Sequence, residues 1–201
     1  MKSLRILFLL VLAGVVAGTT QAALVGDVTS GSTLFTHTNG GIIISANVEY
    51  AVYSSGVYAG YIPASLPAGK FIYAYQVFNT VASNIPVNLF SVGLNAGAIQ
   101  ANDQCWTDGT YGTLGGIPST GFSGFTVSPQ QEAAYGFFFG SIGQNQHSVV
   151  LLFSSDLAPT TGYGTIGGAL GALPTPVPEP ATIVLFGSLV PFVLKKFRTK
   201  V

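Results

Sequence analysis

The chain has 201 residues, of which only 7% are charged, and seven Lys and Arg balance seven Asp and Glu. The balance is uneven along the chain: residues 1–22 carry +2, residues 179–201 carry +3, and residues 23–178 carry −5, with Lys70 alone against Asp27, Glu49, Asp103, Asp108, Glu132 and Asp156. A body with one basic residue has no phosphate-binding patch, which argues against nucleic acid; it also rules out electrostatic adhesion to acidic polysaccharide, so any glycan contact has to go through aromatic and neutral polar groups.

Residues 1–22 have the layout of a secretory signal peptide. Lys2 and Arg5 form the positive start, Ile6 to Val16 the apolar stretch, and Thr20-Gln21-Ala22 the small-residue site, with cleavage expected after Ala22. Cleavage after Ala23, or retention as an N-terminal anchor, are the alternatives. No cysteine stands directly after the apolar stretch, at the cleavage site, which argues against lipoprotein attachment. The middle of the chain has the length of one domain.

Strand signals then dominate. Leu34 to His37 leads into Asn39-Gly40-Gly41, which is hairpin-turn chemistry. In Ile42 to Tyr53 the even positions are all apolar and the odd ones include Ser45, Asn47 and Glu49, the period of a half-buried strand. Further strands are expected at Lys70 to Asn79, at Val87 to Leu94 with Phe90, Val92 and Leu94 on one face, and at Phe122 to Val127. Ala133 to Phe139 and Ser148 to Phe153 read as another pair, the latter continuously apolar as a central strand would be. Ala101 to Gly121 reads as a long surface loop. The expected fold is all-β, an antiparallel β-sandwich ectodomain over residues 23–161, with helices only at the termini. Residues 162–176, glycine-rich and then proline-rich, read as a spacer.

Residues 177–201 form a three-part stretch. Pro178 and Pro180 fix the backbone on either side of Glu179 and bias it to extended geometry, displaying the carboxylate to a protease-like groove. Ala181 to Leu194 carries no charge. As a helix its fourteen residues span roughly 21 Å, at about 1.5 Å per residue, against a hydrocarbon core of roughly 30 Å. It reads as a short transmembrane helix suited to temporary anchoring. Lys195, Lys196, Arg198 and Lys200 form the basic membrane stop, held on the cytoplasmic side. A plain C-terminal anchor is the alternative.

The order Val177-Pro178-Glu179-Pro180, apolar run, Lys195-Lys196-Phe197-Arg198 resembles the PEP-CTERM sorting signal of exported proteins of Gram-negative bacteria. The resemblance implies recognition and cleavage by an exosortase-type membrane enzyme, transient anchoring in the inner membrane, and a destination at the outer surface or in an exopolysaccharide or biofilm matrix. The Tyr-rich strand ending in Asn79 and the Ser155 to Pro159 turn look like the bodies of many proteins that carry this tail. On this reading the chain is a substrate of processing chemistry, not an enzyme.

Catalytic and metal signals in the body are thin. Gly121-Phe122-Ser123-Gly124 lacks the spacing of a nucleophile elbow. Cys105, Asp108 and His147 are the residue types of a thiol triad, but nothing in the sequence brings them together. His37 and His147 have no second ligand at metal spacing. Asn102, Asp103, Asp108 and Asp156 carry oxygen ligands that suit calcium, without the calcium-loop pattern. No metal or other cofactor is expected. Cys105 reads as a buried or half-buried thiol beside Trp106, with an intermolecular disulfide as the alternative. Tyr50, Tyr53, Tyr58 and Tyr61 are the candidate glycan contacts, because tyrosine rings stack on sugar faces. A carbohydrate- or ligand-binding sandwich is therefore the alternative to a non-catalytic matrix protein.

Overall fold

The computed structural model describes residues 23–64, 71–95, 105–127 and 132–176. Ten strands fill them: β1 (Thr29–Asn39), β2 (Ile42–Ser54), β3 (Phe71–Asn79), β4 (Val87–Asn95), β5 (Cys105–Asp108), β6 (Gly121–Val127), β7 (Glu132–Ile142), β8 (Val150–Ser155), β9 (Pro159–Ile166) and β10 (Ala169–Pro176). No helix occurs among the described residues, and so none long and apolar enough to cross a membrane. The signal peptide with Ala22, the motif Val177 to Pro180, the apolar run and the basic stop all lie outside the described residues.

The strands make two antiparallel five-stranded sheets. Sheet A runs β1-β2-β3-β8-β5 and sheet B runs β10-β9-β4-β7-β6. The period-two pattern of β2 holds: Ile44, Ala46, Val48 and Val52 enter a core shared by the two sheets, with Tyr50 packed against it. Phe90, Val92 and Leu94 of β4 meet them from sheet B, as do Phe137 of β7 and Leu173 of β10. Aromatic rings fill this space. Tyr73 stacks on Phe153 at 4.7 Å, and Phe35 meets Phe90 edge-on at 6.5 Å. The Tyr75 hydroxyl crosses the core from sheet A and donates to the Pro174 carbonyl of sheet B at 2.6 Å.

Sheet A is also covered on its other face. Ala51 and Tyr53 of β2, Ile72 and Ala74 of β3, Trp106 of β5, and Val150 and Leu152 of β8 form a second apolar cluster with Leu24 and Tyr58. Every residue of β8 is therefore buried, which is why Val150 to Phe153 are apolar without alternation.

Three expectations are corrected. Residues 101–121 are not simply a surface loop, because Cys105–Asp108 form the edge strand β5 against β8, with Trp106 and Asp108 buried. The segments expected to pair as 133–139 and 148–153 fall in different sheets: β7 pairs with β4 and β6, and β8 with β3 and β5.

Residues 162–176 are not a spacer but most of the β9–β10 hairpin, so the sandwich extends past residue 161 to Pro176. The glycines that suggested a linker allow close approach instead. A Cβ at Gly171 would lie 2.6 Å from the Phe35 ring, and one at Gly164 would lie 2.6 Å from Leu173 Cδ1. Gly167 and Gly168, at φ 52° and 94°, close the hairpin as Gly40 and Gly41, at 56° and 85°, close β1–β2. Both pairs supply the positive φ of a two-residue turn. Pro174 and Pro176 are tolerated because β10 is an edge strand.

Candidate functional site

The four candidate tyrosines do not form one surface. Tyr53 and Tyr58 are buried in the outer cluster of sheet A, in edge contact with each other at 5.1 Å. Tyr111 joins them, 5.0 Å from Tyr58. Burial, then the neighbouring Tyr111 for Tyr53 and Asp108 for Tyr58, pushes both phenols well above their ordinary range. Neither ring can stack on a sugar, which corrects the expectation for these two residues. Tyr61 is exposed, on the loop after β2. Tyr50 faces the inter-sheet side of β2 and is half-buried. Stacking chemistry wants exposed rings, and the loop 55–64 instead spends Tyr58 on covering sheet A.

Asp108 is the organiser of that cover. Its Oδ2 accepts from the Tyr58 hydroxyl at 2.9 Å and the Tyr61 amide at 2.6 Å. Its Oδ1 accepts from the Thr110 amide at 2.7 Å and hydroxyl at 2.6 Å. Burial acts to raise this carboxyl, but the Thr110, Tyr61 and Tyr58 hydrogen bonds outweigh it and hold the group below the ordinary aspartate range. Trp106 Nε1 donates to the Tyr61 carbonyl at 2.8 Å, pinning the same loop. Gln76 holds the following loop, donating to Thr113 O and Ser148 O and accepting from Thr113 N.

These contacts decide the sparse chemistry. Cys105 packs against the inter-sheet core, whereas Trp106 joins the outer cluster. The alternation of β5 therefore puts Cys105 and Asp108 on opposite faces. His147 stacks on Phe78 at 5.3 Å and meets Leu114 O at 3.2 Å. Cys105, Asp108 and His147 are thus held apart by their own packing. Burial pushes the Cys105 thiol up to about 11, so it is protonated rather than a ready nucleophile. Among the described residues no three His, Cys, Asp or Glu side chains are grouped to hold a metal ion. Asp156 is exposed on the β8–β9 turn, while Asn102 and Asp103 lie outside the described residues.

A cleft of about 570 Å³ opens elsewhere, at the edge where β1 of sheet A approaches β9 and β10 of sheet B. Thr29, Thr33 and Tyr50 line one side, and Pro159, Thr160, Thr161 and Pro174 the other. Thr33 Oγ1 donates to the Ala172 carbonyl at 2.7 Å, tying β1 to β10. Toward Phe35 the sheets close on the Gly164 and Gly171 backbone; toward Thr29 they leave the cleft. Tyr50 lies across β1 because residue 31 is glycine: a Cβ there would come within 2.7 Å of the tyrosine hydroxyl.

Of the cleft residues only Tyr50 was a candidate from sequence. The threonines come from strands more than a hundred residues apart, and residues 162–176, which complete the hairpin, read as a spacer in the sequence. The alternation Thr161-Gly162-Tyr163-Gly164-Thr165, followed by the Gly167-Gly168 turn, was the available signal for that hairpin.

Comparison with known proteins finds no matching family model, no matching curated protein and no matching solved structure.

Proposed function

We propose that this is an exported, non-catalytic surface or extracellular-matrix protein, sorted and cut at Val177-Pro178-Glu179-Pro180 by an exosortase-type membrane enzyme. The ordered succession of that motif, the uncharged Ala181 to Leu194 and the basic Lys195, Lys196, Arg198 and Lys200 carries the reading. Residues 1–22 supply the export signal. An acidic, charge-poor β-sandwich suits a cargo domain that works outside the inner membrane, among exopolysaccharide. Its contact with such a matrix runs through neutral hydroxyl and aromatic groups, since Lys70 is the only basic residue between 23 and 178.

The correction of residues 162–176 changes one part of this reading. Val177 directly follows the last residue of β10 in the chain, so on this reading no spacer segment separates the motif from sheet B. Inserting a flexible Gly-Ser linker between Pro176 and Val177 should therefore speed processing.

The mass of the protein recovered from cells that hold the processing enzyme tests the proposal. Loss of the residues after the motif is expected, and Glu179→Ala should leave uncut precursor in the inner membrane. An intact C-terminus through Val201 in such cells would sink the proposal.

A further inference from the structure

We propose that the cleft between β1 and the β9–β10 hairpin is a binding site for a neutral saccharide. The proposal does not rest on the sorting signal, and either can fail without the other.

None of the described residues that line the cleft is charged. Thr29, Thr160 and Tyr50 bring hydroxyls to it, each able to donate or accept, and Thr33, whose hydroxyl already donates to Ala172 O, can still accept. Sugar hydroxyls have the same dual character, so donor and acceptor roles can be matched by rotation about single bonds. Pro159, Pro174 and the Tyr50 ring supply the apolar surface on which the C–H face of a pyranose packs. An anionic sugar would find no counter-charge here and would lose hydration without replacement. A phosphate or carboxylate ligand is disfavoured for the same reason. The volume, about 570 Å³, lies within the range of small-molecule sites, about 300–1,000 Å³.

The walls are held from inside the protein. Tyr75 and Tyr73 lie two apart on β3, both fully buried in the inter-sheet core. Tyr75 donates to Pro174 O at 2.6 Å, and Tyr73 donates to Leu157 O at 2.8 Å, on the turn that leads into Pro159. The two core tyrosines therefore fix the backbone on the hairpin side, while the Thr33–Ala172 bond fixes its distance from β1. A cleft set in this way before the ligand arrives loses little entropy on binding.

The test uses the full chain in a non-glycosidic detergent, on an array of neutral and uronate-containing oligosaccharides, followed by titration of the strongest neutral hit. Retention of neutral glycans over uronates is expected. Thr160→Val should weaken the hit severalfold, with the melting temperature unchanged. Tyr50→Phe removes one hydroxyl while keeping the ring over Gly31, and should weaken it less. Thr160→Lys should abolish it. Failure of every neutral glycan at millimolar concentration, preference for uronates, or unchanged affinity in Thr160→Val would each overturn the proposal.

Discussion

The two sheets share one core, but their outer faces differ. Sheet A is roofed by the loop after β2 and the loop after β5, which bury Tyr53, Tyr58, Trp106 and Leu152. Among the described residues no such roof covers the outer face of sheet B over Leu89, Phe138, Tyr163 and Leu170, which are 39%, 42%, 67% and 66% exposed. Leu89 pairs with Phe138 at one part of that face, and Leu170 and Tyr163 lie on the other hairpin. Between them Ser91 and Thr165 join hydroxyls at 2.5 Å. The exposed apolar groups are thereby split into small patches, which limits non-specific association. A sheet buried on both faces derives stability from both; one bare on the outside derives it from the inside alone.

The largest effect that separates the faces should come from Leu152→Ala. Leu152 is fully buried in the outer cluster, and its truncation should cost about 3 kcal/mol through lost burial and the cavity left. Denaturant unfolding of the full chain measures this. A change no larger than that of a surface variant would mean that the roof over sheet A is loose.

Asp108→Ala comes next, because it strips the acceptor from the Tyr58, Tyr61 and Thr110 donors at once. Leaving such donors unpaired should cost roughly 2–3 kcal/mol at neutral pH. The pH dependence follows from the lowered folded pKa. An aspartate of this kind stabilises fully above its unfolded value, near 3.8, and loses that contribution as pH falls through the folded value. Part of the acid limb of the native protein, below about pH 4, should therefore vanish in the variant. Glu49 has the opposite sign, since burial raises its carboxyl above 4.5. Its contribution is full below that value and declines as pH rises through the folded one, so Glu49→Gln should be slightly stabilising at neutral pH.

How much of this was legible in the sequence follows from which partners each residue needed. β4 could be read because it buries one face and alternation records that directly, and β2 because its even positions take the inter-sheet side, although Ala51 and Tyr53 on its other face are buried as well. The Gly40-Gly41 turn was read from the same chemistry that went unread at Gly167-Gly168, where surrounding glycines and prolines looked like a linker. In β9 and β10 the space over Gly171 is filled by Phe35 of β1, a long-range fact that composition does not carry, and the space over Gly164 by Leu173 of the neighbouring strand. β5 was missed because four residues are too short for a period, and Trp106 and Asp108 look like loop residues until β8 is placed beside them. The tyrosines misled for a related reason: an aromatic in a loop after a strand can cover its own sheet as readily as a ligand. The cleft was hidden because Thr29 and Thr160 come to line one space only after both sheets form.

Gly171→Val tests the hairpin itself. Its Cβ would press on the Phe35 ring at 2.6 Å, and forcing the ring aside should cost about 1–3 kcal/mol. A linker glycine would tolerate the change, so an unaltered melting temperature would return residues 162–176 to the role of spacer. The smallest effect belongs to the bare face. The double variant Tyr163→Ser, Leu170→Ser removes two side chains that are two-thirds exposed, and its stability should stay within about 0.5 kcal/mol of the parent. Both positions lie in strands of the same hairpin as Gly171, so backbone disruption would appear in both experiments, whereas loss of side-chain packing would appear only at Gly171. Equal destabilisation by the two variants would show that the outer face of sheet B is packed after all, and that the difference between the sheets is not one of cover.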